Sequence, residues 1–190
     1  MIKNVTLFVQ NQKIMKKNIL ISVLVLSLVS LSFFAGRVSQ KEPVIPSKKV
    51  TQVGIIVRDI DKARIAWAEM LGVNPPQPSV AEGHSSRPTL FMGNPSDAKA
   101  KLAFFSMENL QIELIQPLGG KSTWQEFLDN NGEGIHHIAF QVKDINGKEK
   151  EFRMINMPTL QSGGWDGGAY SYIDGSKEIG CILELLENYK

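Results

Sequence analysis

Gly134-Ile135-His136-His137-Ile138-Ala139-Phe140-Gln141-Val142-Lys143-Asp144-Ile145 decides how this chain is read, because an earlier stretch repeats its shape. Gln52-Val53-Gly54-Ile55-Ile56-Val57-Arg58-Asp59-Ile60 also runs from a polar residue to a small one two places on. It then continues through apolar strand residues to an Asp-Ile pair that opens a helix. Each copy is followed by a strand with a carboxylate at its centre. These are Leu110-Gln111-Ile112-Glu113-Leu114-Ile115 after the first and Ile182-Leu183-Glu184-Leu185-Leu186 after the second. Side chains alternate across a strand. Gln52, Gly54 and Ile56 therefore share one face of the first strand, and His137, Ala139 and Gln141 one face of its counterpart. Glu113 stands opposite Ile112 and Leu114, and Glu184 opposite Leu183 and Leu185. This spacing lets Gln52, Glu113, His137 and Glu184 all point away from the helix-covered faces and surround one metal ion.

The elements around these strands repeat as well. Asp59 is a helix N-cap, Ile60, Ala63, Ala66-Trp67 and Met70-Leu71 carry apolar residues at helical spacing, and Gly72 ends the helix. Pro75, Pro76 and Pro78 force a turn or an extended excursion. Strands are predicted over 88–92 and 102–107, with Glu108-Asn109 turning into the strand of Glu113. A connector carries a short helix from Thr123 to Asp129. The second unit follows: a strand over 135–142, a helix capped by Asp144 and reaching about Met154, then shorter strands over 169–174 and 180–186. Glycines 163, 164, 167 and 168 mark a turn or a flexible lip. Each half is thus one strand, one helix and about three strands. Alternation puts His136 on the helix side in a structural role. Trp67 falls on the apolar helix stripe, His84 reads as a polar loop residue with substrate contact as the alternative, and Trp165 among its glycines reads as structural with covering a ligand as the alternative.

Composition narrows the function. A hydrophobic fraction of 43% over 190 residues predicts a folded domain with an appendage. The formal charge of +2 comes largely from residues before 50, which leaves the remainder mildly acidic. No basic stripe of the kind nucleic acid requires is present, so that partner is not expected. The lone Cys181 excludes an intrachain disulfide and a multi-cysteine zinc site, and reads as an inert core thiol. Lys16-Lys17-Asn18 precedes an apolar run over 19–35, which predicts an N-terminal apolar helix serving as an export signal or membrane anchor over residues 1–35. Poor cleavage chemistry around Phe33-Phe34-Ala35 favours the anchor. Four lysines before the run place the N-terminus in the cytoplasm and the domain outside it. Residues 36–49, with Pro43 and Pro46, read as a tether, and 50–190 as the domain.

Residues 50–187 resemble the vicinal oxygen chelate superfamily, which includes glyoxalase I, bleomycin resistance proteins and methylmalonyl-CoA epimerase. Ser122-Thr123-Trp124-Gln125-Glu126-Phe127-Leu128 and Gly132-Glu133-Gly134-Ile135-His136-His137-Ile138-Ala139-Phe140 are most similar to the epimerase branch. Gly168-Ala169-Tyr170 through Ile182-Leu183-Glu184-Leu185 is similar to the strand pair that ends the family fold. The resemblance implies an α+β fold of two tandem βαβββ modules that form a cupped mixed sheet around a central cavity. It also implies a divalent metal inside and, from the habit of relatives, a homodimer. The epimerase pattern has His where this chain has Gln52, and often Gln where it has Glu113. The set Gln52, Glu113, His137 and Glu184 instead resembles one glyoxalase I type.

Such an oxygen-rich set with one imidazole suits Zn, Ni, Co, Mn or Fe with open positions for substrate oxygens. Glu184, and secondly Glu113, is then placed to remove a proton beside a carbonyl and give a metal-stabilised enolate. The expected function is a lyase or isomerase acting on a small oxygenated metabolite. The alternative is a non-catalytic module of the same fold that sequesters a small ligand. A ring-cleaving dioxygenase needs a second histidine where Gln52 stands.

Overall fold

The computed structural model describes residues 42–189. In chain order these form β1 (Gln52–Ile56), α1 (Ile60–Leu71), β2 (Ser79–Ala81), β3 (Leu90–Phe91), β4 (Asn94–Pro95), β5 (Ala100–Ser106) and β6 (Gln111–Pro117). There follow α2 (Thr123–Asn131), β7 (Gly134–Gln141), α3 (Ile145–Met154), β8 (Thr159–Trp165), β9 (Gly168–Gly175) and β10 (Cys181–Asn188). The apolar run over 19–35 and tether residues 36–41 lie outside the described residues. Among the described residues no helix is long and apolar enough to cross a membrane. Residues 42–49 carry no helix or strand, yet Val44 and Ile45 pack against the second-half core.

All ten strands join one curled mixed sheet in the order β2-β5-β6-β1-β7-β10-β9-β8-β3-β4. The order is symmetric about the antiparallel β1–β7 join, with β1 parallel to β6 and β7 parallel to β10. Each half, β1-α1-β2-β5-β6 or β7-α3-β8-β9-β10, is a βαβββ module. The strand expected over 88–92 proves to be only Leu90–Phe91. It leaves its own half, pairing Leu90 with Ser162 and Phe91 with Gln161 on β8, while Ser79–Ala81 takes its place beside β5. The β3–β4 hairpin thus covers what would be the free edge of β8.

Alternation along β6 shows the two layers. Leu114 packs beneath α1 with Ile60, Ala68 and Phe105, whereas Ile115 packs on the other face with Trp124 and Leu128 of α2. α3 covers the outer face of the second half over Leu183, Leu185 and Ile173. α1 and α3 start where the sequence places their caps, and Ser122 caps α2. Asp59, Ser122 and Asp144 accept from the backbone N–H of Lys62, Gln125 and Gly147 at 3.0, 3.1 and 3.1 Å. Gly72 ends α1 in the left-handed region at φ 68°. The buried stripe of α1 runs through Ile60 and Ala68 with Trp67 and Leu71 packed beside them, while Met70 is exposed. Glycines 163 and 164 are strand residues rather than a turn, because the Tyr170 ring and the Arg87 side chain occupy the space of their missing Cβ atoms.

The register at the join explains the repeated spacing of a polar residue and a small one. Gly54 lies between Glu113 on β6 and His137 on β7, and Ala139 lies between Glu184 on β10 and Gln52 on β1. Each small residue is flanked on both sides by the larger polar side chains of the inner face. A Cβ at Gly54 would lie 2.0 Å from Cε1 of His137. Replacing Gly54 with Ala is therefore expected to overpack the sheet centre and lower the free energy of unfolding by about 1–3 kcal/mol, read as a lower urea midpoint. An unchanged midpoint would contradict this register.

Candidate metal and substrate site

The inner face of the join brings together the residues that alternation selects. Gln52, Glu113, His137 and Glu184 are all buried. Nε2 of His137 stands 3.1 Å from Oε2 of Glu184 and 3.5 Å from Oε2 of Glu113. Ligand atoms of Glu113, His137 and Glu184 lie within 4.8 Å of one another. Gln52 is oriented beside them by donating from Nε2 to Oε1 of Gln111 at 3.0 Å, which leaves its own Oε1 free.

Four atoms, Gln52 Oε1, Glu113 Oε2, His137 Nε2 and Glu184 Oε2, are buried without a hydrogen-bond partner. One orphaned buried polar atom is already costly, and folded proteins rarely leave several together. The donor set of two carboxylates, an amide oxygen and an imidazole nitrogen fits a divalent cation and leaves positions open to a substrate. Gln52, Glu113, His137 and Glu184 are the residues that would hold it.

His136 departs from the expectation. A register shift opposite Gly54 and Ile55 inserts one residue into β7, and such a bulge turns neighbouring side chains to the same side. His136 thus joins His137 on the inner face, with the two Nδ1 atoms 2.9 Å apart and its ring edge-on to Phe127 and Tyr172. One of the two Nδ1 atoms must carry the shared proton, which fixes the His137 ring and leaves Nε2 directed at the carboxylates. Burial, then the neighbouring His137, pushes His136 down to about 3, with the Thr123 backbone pulling weakly the other way. It is a neutral imidazole.

Strand alternation also brings in residues that the reading of the ligand face overlooked. Gln111 lies two positions before Glu113, and Tyr170 and Tyr172 share the inner face of β9, with Tyr172 beside Glu184 in register. The Tyr172 hydroxyl accepts from Nε1 of Trp124 at 3.0 Å. Burial, and then Glu184 and Glu113, holds the Tyr172 phenol well above its ordinary value, so it stays protonated. Burial is also the main reason that Glu113 sits well above the ordinary carboxylate range, with Glu184 adding to it.

These groups line a cavity of about 710 Å³. Its walls include Phe104, Trp124, Tyr170 and Tyr172, and its rim carries Glu82, His84, Trp165 and Asp166. His84 and Trp165 therefore both reach the cavity, His84 with Nδ1 held 2.7 Å from the Ser86 hydroxyl. Trp67 packs against Phe105 in the outer core. Cys181 is a free thiol packed at the margin of the second-half core.

A family profile described as the Glyoxalase/Bleomycin resistance protein/Dioxygenase superfamily matches residues 51–172. The ethylmalonyl-CoA/methylmalonyl-CoA epimerase of Cereibacter sphaeroides is 27% identical over 142 residues, which cover 72% of this chain and 96% of that protein. The mitochondrial methylmalonyl-CoA epimerase of Bos taurus is 28% identical over 120 residues, 60% of this chain and 61% of that one. The crystal structure of methylmalonyl-CoA epimerase from Mycobacterium tuberculosis superposes with a TM-score of 0.53 at 20% identity, covering 80% of this chain and 95% of that one. This last likeness is one of fold.

Glu113 gives the metal-free site a defined pH dependence. Its folded form binds a proton more tightly than the unfolded chain does, so it removes stability as the pH rises above about 4.5. Glu113→Gln is therefore expected to stabilise the chelator-treated protein by more than about 1 kcal/mol near neutral pH, and by much less near pH 4. Urea melts of both proteins across that range test this. A constant difference would contradict the burial of an ionisable Glu113.

Proposed function

Because the chain belongs to the glyoxalase/bleomycin resistance protein/dioxygenase superfamily, we propose that it is a metal-dependent lyase or isomerase that removes a proton beside a carbonyl in a small oxygenated metabolite. The observation that carries this reading is the convergence of four buried, unpartnered ligand atoms at the centre of the sheet. The relatives named as epimerases favour an isomerase over a lyase. A divalent ion held by Gln52, Glu113, His137 and Glu184 would supply a Lewis acid for two adjacent substrate oxygens.

The chain's own residues account for the proton movements. Glu184 is the base: the C–H bond breaks, the proton passes to its carboxylate, and the electron pair moves onto the carbonyl to give an enolate. Glu113 comes from β6, on the far side of the β1–β7 pair from β10. From that side it is placed to return a proton to the carbon. Two carboxylates acting in turn from either side would invert a stereocentre or move a double bond. His136 holds the His137 ring in place, and the protonated Tyr172 closes the wall beside Glu184 without adding charge. We also place the domain outside the cytoplasm, a reading that rests on the apolar run over 19–35 and its preceding lysines.

Glu184→Gln is expected to keep metal and fold while slowing deuterium incorporation at the carbon beside a substrate carbonyl by at least about 100-fold. His137→Ala is expected to lose the metal. Metal analysis and solvent-deuterium exchange followed by NMR, both on the 190-residue chain, check these outcomes. Tight ligand binding with no metal and no exchange would instead establish a sequestering module.

A further inference from the structure

The aromatic wall of the cavity contains two phenols, and their hydrogen bonds are closed to different degrees. Gln161 settles the first. Its Oε1 accepts the backbone N–H of Thr123 at 2.8 Å, so Nε2 is the end turned to Tyr170 and donates to that hydroxyl at 3.2 Å. The Thr89 hydroxyl is a second side-chain partner of the same phenol. Tyr170 therefore has one partner that gives a proton and another, a hydroxyl, that can take one.

Tyr172 has no such complement. Its oxygen accepts from Nε1 of Trp124 at 3.0 Å. An indole nitrogen only donates, so this contact leaves the proton of the phenol unused. Among the described residues no acceptor stands within hydrogen-bond distance of it, and Oε2 of Glu113 and of Glu184 are themselves unpartnered. The ring is not free to turn elsewhere. His136 and His137 pack against it at 5.1 and 5.0 Å between ring centroids, and Trp124 meets it edge-on at 6.1 Å. Tyr172 is buried, and a buried donor without an acceptor is costly. Tyr172 and Trp124 both line the cavity, so a molecule that fills it can supply the acceptor.

Resting on the reading of a metal-dependent proton-transfer site, we propose that Tyr172 is a substrate-binding hydrogen-bond donor. It takes an acceptor oxygen, of the carbonyl or carboxylate class, on the molecule held at Glu113, His137 and Glu184. Trp124 sets the direction of this donor before a ligand arrives. A donor set in advance needs no reorganisation when negative charge develops on a ligand oxygen. The start of α2 thereby acts on both phenols: Thr123, through Gln161, holds Tyr170 as wall, and Trp124 holds Tyr172 as donor.

The chain has 3 tyrosines, at 170, 172 and 189. Protein carrying carbon-13 at tyrosine Cζ therefore gives one NMR signal for each, assigned with Tyr→Phe variants. The probe is oxalate, which can turn two oxygens to a metal and keep the others as acceptors. When the 190-residue chain loaded with zinc is titrated with oxalate, the Tyr172 signal is expected to move downfield and those of Tyr170 and Tyr189 to stay. By calorimetry Tyr172→Phe is expected to keep zinc and bind oxalate at least about tenfold more weakly, against about threefold or less for Tyr170→Phe. Should Tyr172→Phe not fold, since it strips Trp124 of its acceptor, the wild-type signal decides alone. Oxalate bound with the Tyr172 signal unmoved, or bound equally tightly by a folded Tyr172→Phe, would overturn the donor and leave the metal site standing. So would zinc uptake without oxalate binding. A wild-type chain that takes up no zinc removes the metal reading, and the proposal with it.

Discussion

Two carboxylates buried a few ångströms from one imidazole, with no lysine or arginine paired to either among the described residues, set the terms for the rest of this fold. Such a pair destabilises a protein unless something neutralises it, since desolvation and mutual repulsion act in the same direction. The surrounding sheet is organised around keeping the pair in place. Glu113 and Glu184 sit at mid-strand on the two strands that flank the β1–β7 join, each with apolar neighbours on the outer face packed under its own helix. The outer cores beneath α1 and α3 supply the hydrophobic stability, and the join carries polar groups whose burial is costly. Such a division is expected where function is held on a rigid scaffold.

The small residues at the join are the less conspicuous half of the same arrangement. Neither Gly54 nor Ala139 contributes a functional group, yet each is flanked by two of the four inward polar side chains. A larger residue at either position would occupy the volume where ligand atoms converge. This is why the two copies share the order of a polar residue followed two places later by a small one. The polar residue points inward, and the small one makes room for the inward polar side chains of its neighbours.

How much of this could be read from the chain depends on how local each determinant is. Gln52, Glu113, His137 and Glu184 lie on strands long and regular enough for period-two alternation to assign their faces, and the four do meet. The same rule applied to β6 and β9 also reaches Gln111, Tyr170 and Tyr172. It fails at His136, because a bulge shifts the phase by one residue and is set by pairing between two distant strands, not by the sequence around His136. It also fails for Leu90–Phe91, whose partner Gln161–Ser162 lies in the other half. A two-residue strand has too little pattern to declare its partner. The N-cap residues Asp59 and Asp144 were legible because capping is decided within one turn.

The two halves match in topology and differ in how they are covered, and that difference gives the cavity a direction. In register, Phe104 on β5 stands beside Glu113 as Tyr172 on β9 stands beside Glu184, so the two aromatics occupy equivalent places. The connector helix α2 reaches only one of them. Trp124 donates to the Tyr172 hydroxyl and leaves that ring 2% exposed, whereas Phe104 stays 36% exposed with Leu102 and Val80 beside it. The second half thus becomes a closed aromatic wall and the first half the open side. Glu113 and Glu184 therefore stand in different surroundings despite equivalent positions. Two carboxylates in a symmetric site would be interchangeable. Here the connector sets them apart by closing one side of the site with Trp124 and leaving the other open.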